Sequence, residues 1–269
     1  MRILLIGDIV GKPGRRIVCQ AVRGLVAREQ IDLVVANAEN SAGGSGLTPA
    51  NYDELIDAGV QAITLGDHIY RRRGIRRILE SKSNIVKPAN YPASAPGRDV
   101  AVVTTADGVE VAIISLIGRV FMKPVDCPFA AVERVLERLD KRVKVVLVDL
   151  HAEATSDMQL MGRFLDGRVS AVLGTHTHVA TADETILSAG TAFQCDVGMT
   201  GPHDGILGRR FDRVLETTRT FNPTAFDVSS GDVRLNGSLV DIEPSSGRAT
   251  AIRRICIDEQ EAIGLANSQ

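Results

Sequence analysis

Histidine is scarce in this chain, and its placement is selective. Of five histidines in 269 residues, four (His68, His151, His176 and His178) follow short apolar runs, while His203 lies in a loop flanked by glycine and proline. Other runs end on oxygen ligands: Asp8 after Gly7, Glu39 and Asn40 behind Asn37, and Asp67 after Gly66. Carboxylate, amide and imidazole groups together suit borderline-hard divalent ions such as Mn, Fe, Co or Zn. No thiolate lies nearby, which speaks against a structural cysteine-type zinc site. Asp8, Glu39, Asn40, Asp67, His68, His151, His176 and His178 are too many for one tetrahedral ion and a sensible number for two ions bridged by a carboxylate, a water and a substrate. Such a pair activates a water as nucleophile and neutralises charge developing on a phosphoryl group. A histidine outside the ligand set can protonate the leaving alkoxide. The chemistry expected is hydrolysis of phosphate esters.

Taken singly, each of these residues has a plainer reading. Asp8 with Gly11-Lys12-Pro13-Gly14 behind it suits a turn, His151 suits a core histidine bonded to Asp149 or Glu153, and Asn37 and Asn40 suit loop caps. Gly7, Gly11 and Gly14 match neither the dinucleotide fingerprint nor the phosphate-loop spacing. The constellation carries the inference, because five separate strand ends supply it, and ligands of an open α/β sheet bind beyond the carboxyl ends of its strands. His176-Thr177-His178 reads as an extended segment with both imidazoles on one side, since alternate strand residues point the same way.

The elements that position these groups follow from the apolar runs at 3–6, 33–36, 62–65, 111–116, 145–150 and 171–173. They lack polar alternation, as strands buried on both faces do, and segments such as 15–30 and 50–58 between them read as helices. A layered α/β fold results. Residues 225–258 hold shorter pieces at 233–235, 239–243 and 251–257 between Ser, Gly and Asn turns, expected as antiparallel strands of a second sheet or a sheet edge. No linker composition intervenes, so residues 1–269 are expected to form a single domain with 259–269 as a terminal helix or tail. The arginines at 71, 72, 73, 76 and 77 read first as a solvated helix face; the alternative is that one or two of them, or Arg119, reach a substrate phosphate. Phe121, Met122 and Phe129 read as packing residues.

Composition narrows the classes further. A hydrophobic content of 44% supports a substantial core, and a net charge of −2 gives no basic excess for general nucleic-acid binding. Cys19, Cys127, Cys195 and Cys256 form no CxxC pair and read as reduced, mostly buried thiols of a cytoplasmic protein. No apolar run approaches the roughly 18 residues of a membrane span, and the first is too short for a signal peptide.

Long motifs then point to a family. The segments Gly7-Asp8-Ile9-Val10-Gly11-Lys12-Pro13-Gly14-Arg15, Asn37-Ala38-Glu39-Asn40, His151-Ala152-Glu153-Ala154-Thr155-Ser156, Gly174-Thr175-His176-Thr177-His178-Val179 and Asp196-Val197-Gly198-Met199-Thr200-Gly201-Pro202 resemble the bacterial YmdB-like metallophosphoesterases. The resemblance implies a calcineurin-like α/β/β/α sandwich with a dinuclear centre at the strand ends and activity on 2′,3′-cyclic nucleotides. It implies Asp8, Glu39, Asn40 and His178 as ligands of one ion, and Glu39, Asp67, His151 and His176 of the other, with Glu39 bridging and His68 as proton donor. Iron or manganese, a homo-oligomer and a link to RNA turnover are implied as well. One departure is Gly66-Asp67-His68, where the family has Gly-Asn-His. Aspartate offers only acceptors when ionised, so metal binding should survive while catalysis weakens or changes. Two other readings stay open: a low-activity metal-binding regulatory protein that contacts an RNA-processing partner, and a phosphomonoesterase or nucleotidase of the same fold.

Overall fold

Alternate residues of a strand point to opposite faces, and here both faces are apolar, so each sheet must be covered twice. The computed structural model, which describes residues 1–267, meets this demand with two six-stranded sheets packed against each other. The first contains β1 (Arg2–Ile6), β2 (Leu33–Asn37), β3 (Ala62–Thr64), β10 (Gly201–Pro202), β11 (Val233–Ile242) and β12 (Ala249–Asp258). The second contains β4 (Val100–Thr104), β5 (Glu110–Ile117), β6 (Val145–His151), β7 (Ala171–Thr175), β8 (Thr185–Ile186) and β9 (Ala192–Gln194). The helices are α1 (Gly11–Glu29), α2 (Pro49–Asp57), α3 (Ile75–Ser81), α4 (Pro128–Arg138), α5 (Thr155–Phe164), α6 (Phe211–Thr220) and α7 (Glu259–Asn267).

The alternation is legible in the core. Leu4 and Ile6 of β1 face Ile17, Val18 and Leu25 of α1, whereas Ile3 and Leu5 face Val111, Ile113, Val145 and Leu147 of the second sheet. That sheet turns Ile114, Leu116, Val148 and Leu150 outward against α4 and α5, where Val132, Val135, Met158 and Met161 wait. The order of layers is therefore helix, sheet, sheet, helix. Strands β1, β2 and β3 run parallel, as do β5, β6, β7 and β9, so their carboxyl ends collect at one edge.

Several expectations are corrected. Of the two places expected for the C-terminal antiparallel strands, the sheet edge holds and the second sheet does not: β11 pairs antiparallel with β1 over Arg2–Asp241 to Ile6–Gly237, inside the first sheet, and β12 pairs antiparallel with β11 beyond it. The second sheet comes from the middle of the chain, with the short strands β8 and β9, which no strong apolar run announces, and with β4, whose run at Val100–Val103 the sequence reading passed over. Helix α1 begins at Gly11 rather than residue 15, because proline is tolerated in a first helical turn; Gly11-Lys12-Pro13-Gly14 is helix, not loop. Thr48 caps α2 by accepting from the Asn51 N–H at 3.2 Å. The expected terminal helix or tail at 259–269 is helix as far as Asn267, and 268–269 lie outside the described residues. Cys19 and Cys256 are exposed, against the expectation of mostly buried thiols, Cys19 on the outer face of α1 and Cys256 on the outer strand β12; all four cysteines are free. Among the described residues no helix is long and apolar enough to cross a membrane.

Candidate metal centre

Every residue expected at the site stands at the collected strand ends or just beyond. Asp8 follows β1, Glu39 and Asn40 follow β2, Asp67 and His68 follow β3, His151 ends β6, and His176 and His178 follow β7. Glu39 and His151 are fully buried and meet at 3.2 Å between Oε1 and Nε2. The same His151 nitrogen lies 3.5 Å from Asp67 Oδ1 and 3.0 Å from His176 Nδ1. Ligand atoms of Glu39, Asp67, His151 and His176 all fall within 4.8 Å of one another. On the other side of Glu39, His178 Nε2 stands 3.7 Å from Asp8 Oδ1 and 3.3 Å from Asn40 Nδ2. The convergence depends on a missing side chain: a Cβ on Gly66 would sit 2.3 Å from the His151 ring and 2.4 Å from Glu39 Oε2.

A buried polar network fixes His151 from behind. Thr175 Oγ1 lies 2.7 Å from Asp149 Oδ1, 2.9 Å from His151 Nδ1 and 3.2 Å from Asn37 Nδ2. The hydroxyl has one proton; given to the Asp149 carboxylate, it leaves the oxygen to accept from His151 Nδ1–H and from Asn37. The Nε2 lone pair of His151 is thereby turned to the site. Asp149 Oδ2 accepts from Asn37 Nδ2 and from Thr64 Oγ1. Burial pushes the Asp149 carboxyl above its ordinary range, and Thr64 and Thr175 act against that.

The extended reading of His176-Thr177-His178 is corrected. Strand β7 stops at Thr175, and His176 and His178 adopt φ of 102° and 66°, a region that non-glycine residues occupy at a cost of about 1–3 kcal/mol each. Side chains hold the turn: Asp196 Oδ2 accepts from the N–H and hydroxyl of Thr177, both at 2.9 Å, and Asp8 Oδ2 accepts from the His176 N–H at 2.9 Å. The two imidazoles consequently serve opposite sides of Glu39. Neither plain partner expected for His151 touches it directly: Asp149 reaches it through Thr175 and Asn37, and Glu153 lies 3.1 Å from His176 instead.

The electrostatics favour cations. Burial raises the Glu39 carboxyl, but His151 and His68 override it and hold the group well below the usual range. Burial likewise pulls His151 down, and the carboxylates of Glu39, Asp67 and Asp8 reverse this, taking it well above its ordinary value. His176 is lowered by burial and by the neighbouring His151 charge. Among the described residues, Asp8 Oδ1 and Asp67 Oδ1 are buried with no hydrogen-bond partner. Ligands about 2.1 Å from a shared ion stand roughly 3–3.4 Å apart, close to the separations between Glu39, His151 and His176. The donor set fits a divalent ion. Asn40 fits less directly: its Oδ1 lies 2.7 Å from His68 Nδ1, and its Nδ2 faces Glu39 and His178, so ligation through oxygen requires the amide to turn over.

Two clefts open from this cluster. One, of about 380 Å³, has Glu39, Asn40, His68 and His176 as its floor and Leu207, Arg209 and Phe226 in its wall. The other, of about 460 Å³, is bounded by Asp67, Tyr70, Arg71, Tyr91 and Lys123. The arginine cluster divides. Arg76 and Arg77 are exposed on α3, whereas the residues at 71–73 precede it; Arg72 donates to Ser45 O at 3.0 Å and to Ala42 O, bracing the glycine loop behind Asn40. Arg119 is exposed, its N–H donating to Asp157 Oδ2 at 2.7 Å. Phe129 packs edge-on against Phe164 as expected, but Phe121 is 89% exposed, on a surface turn at φ 61°, and packs nothing. His203 is bonded to Gly201 O and Asn236, outside the cluster. The sequence reading assigns Thr175, Thr64 and Asp196 no role of their own, and Asn37, weighed there as a loop cap, instead donates to Asp149 and Thr175. Asp149, named there as a direct partner of His151, is an indirect one in the structure.

Residues 4–255 match the model of the YmdB-like protein family. The chain belongs to that family. It is 43% identical over 259 residues to a 2′,3′-cyclic-nucleotide 2′-phosphodiesterase of Bacillus subtilis (strain 168), covering 96% of this chain and 98% of the relative. A crystal structure of a hypothetical protein from Thermus thermophilus superimposes with a TM-score of 0.90 at 40% identity, covering 96% of this chain and all of the other. The calcineurin-like phosphoesterase YfkN of Bacillus subtilis matches with a TM-score of 0.52 at 12% identity, over 100% of this chain and 96% of the other, so the fold is calcineurin-like. The α/β/β/α layering of this YmdB-like chain agrees with what the motifs imply.

Proposed function

We propose that this chain is a metal-dependent phosphodiesterase that hydrolyses 2′,3′-cyclic nucleotides or similar small diesters at a dinuclear centre. One observation carries the reading: buried Glu39 stands between two ligand sets, Asp8, Asn40 and His178 on one side and Asp67, His151 and His176 on the other. Each set would hold one ion, with Glu39 shared. Divalent ions there would polarise the phosphoryl group and make a water acidic enough to act as nucleophile near neutral pH. His68 is the proton donor in this reading. Its side chain is 27% exposed on the cleft, and with Nδ1 tied to Asn40, Nε2 is the nitrogen left to serve the leaving oxygen. The name of the Bacillus subtilis relative supports the diester as substrate class. Family resemblance supports iron or manganese, a homo-oligomer and a link to RNA turnover that an RNA-processing partner would explain, and the four free cysteines support a cytoplasmic setting.

The reading is tested by elemental analysis of the purified protein together with hydrolysis of 2′,3′-cyclic AMP and its monoester under added manganese. About two ions per chain, and diester turnover abolished in His151→Ala, are expected. Absence of bound metal would sink the dinuclear reading, and preference for the monoester would move it to a phosphomonoesterase. The regulatory reading draws on Asp67, which adds a carboxylate 3.8 Å from His68 Nε2 and 3.9 Å from Lys123 Nζ. In an enzyme tuned to aspartate, Asp67→Asn lowers turnover; a rise would favour the regulatory protein.

A further inference from the structure

We infer that the cleft walled by Leu207, Arg209 and Phe226 is a nucleoside subsite, in which Phe226 and Leu207 hold the base of a nucleoside phosphate and Arg209 attracts its phosphate. The direction of the bound nucleoside rests on the phosphodiesterase reading, because His68, the donor to the leaving oxygen, lines this cleft and not the other.

A nucleotide has an anionic end and a flat, largely apolar end, and the cleft has the complementary division. Its floor is the ligand cluster. Its wall is built from Ile206, Leu207 and Phe226, which are 42%, 50% and 44% exposed, an unusual concentration of apolar surface beside a polar centre. About 380 Å³ lies within the range of small-molecule sites. The wall is fixed relative to the centre: the Leu207 carbonyl lies 3.1 Å from His178 Nδ1, with Leu207 held at φ 49°. Phe226 supplies an aromatic ring on which any base can stack. Arg209 donates to Phe226 O at 3.0 Å and to Gly44 O, so the guanidinium braces both the aromatic residue and the glycine loop behind Asn40. Among the described residues it forms no ion pair, and its charge remains available to an anion in the cleft. In the other cleft Tyr70 and Tyr91 already stack on each other, with centroids 6.0 Å apart.

The test is calorimetric binding of adenosine 3′-monophosphate and of glycerol 2-phosphate, which carries the phosphate ester without a base, to the manganese-loaded full chain. The nucleotide should bind at least tenfold tighter, and Phe226→Ala should reduce that ratio by about tenfold. Arg209→Gln should weaken both ligands and leave the ratio in place, while Tyr91→Ala should leave it unchanged. Equal binding of the two ligands by the unaltered protein, an unchanged ratio in a folded Phe226→Ala, or a ratio that collapses in Tyr91→Ala instead, overturns the assignment. The ratio is read without turnover. A protein that shows it but hydrolyses no cyclic diester would refute the phosphodiesterase reading and leave the subsite standing; one that hydrolyses the diester without it would do the reverse.

Discussion

At the residue scale, the centre depends on groups that never face the substrate. Thr175 joins His151 to Asp149, so Thr175→Val removes the acceptor for His151 Nδ1–H and the donor to Asp149 Oδ1. With Asp149 Oδ2 still held by Asn37 and Thr64 and only Oδ1 left without a donor, we expect about 1–3 kcal/mol lost in urea unfolding and manganese affinity weakened about 10- to 100-fold by titration. Gly66→Ala acts from the front, since the added methyl falls on the His151 ring and Glu39 Oε2. Elemental analysis should find its metal content sharply reduced; retention of two ions would show that the two side chains can part without loss. Sequence order revealed the residues that cluster at the candidate centre because each follows an apolar run. It did not reveal Thr175, whose role arises only when β2, β3, β6 and β7 bring Asn37, Thr64, Asp149 and Thr175 together. Nor did it reveal the left-handed turn at His176 and His178, which Asp196 imposes from a distant segment.

At the element scale, the long buried strands were legible from their apolar runs, and α2 from its neighbourhood. The partners of those strands were not. Residues 233–235 and 239–243 read as two short strands parted by a turn at Asn236-Gly237-Ser238, whereas they form one continuous strand, β11, whose place beside β1 is set by the two-sided apolar faces of both strands, which a linear pattern does not encode. Strands of two or three residues such as β8 and β9 owe their conformation to neighbours rather than to their own sequence. Helix α6 is the counter-example among helices: it has no buried residue, whereas α1 buries Ile17, Val18, Ala21, Val22 and Leu25. Local stability follows burial. Amide hydrogen exchange should therefore release α6 well before α1, and equal protection of the two would mean that α6 is covered in solution.

At the scale of the whole molecule, the sequence extremes are sewn together. Arg2 forms a two-pronged ion pair with Asp241, at 2.6 and 3.0 Å, and the terminal ammonium of Met1 donates to Ile242 O at 2.8 Å across 241 positions. The Arg2 guanidinium holds Asp241 below the usual carboxylate range. A carboxylate so depressed stabilises the fold fully above its unfolded value and ceases to do so as the pH falls through its lower folded value. Arg2→Ala should therefore cost no more than about 1 kcal/mol near neutrality, the pair being about one-third exposed. The gap between the variants' urea midpoints should close only in strong acid; a gap independent of pH would assign the effect to packing. The same seam has a temporal consequence. A ribosome delivers β1 first and β11 only after more than two hundred further residues, so throughout synthesis β1 presents an apolar edge with its backbone donors and acceptors unpaired on one side. That edge is the part of the nascent chain most open to mispairing, and it closes only when the carboxyl-terminal hairpin arrives.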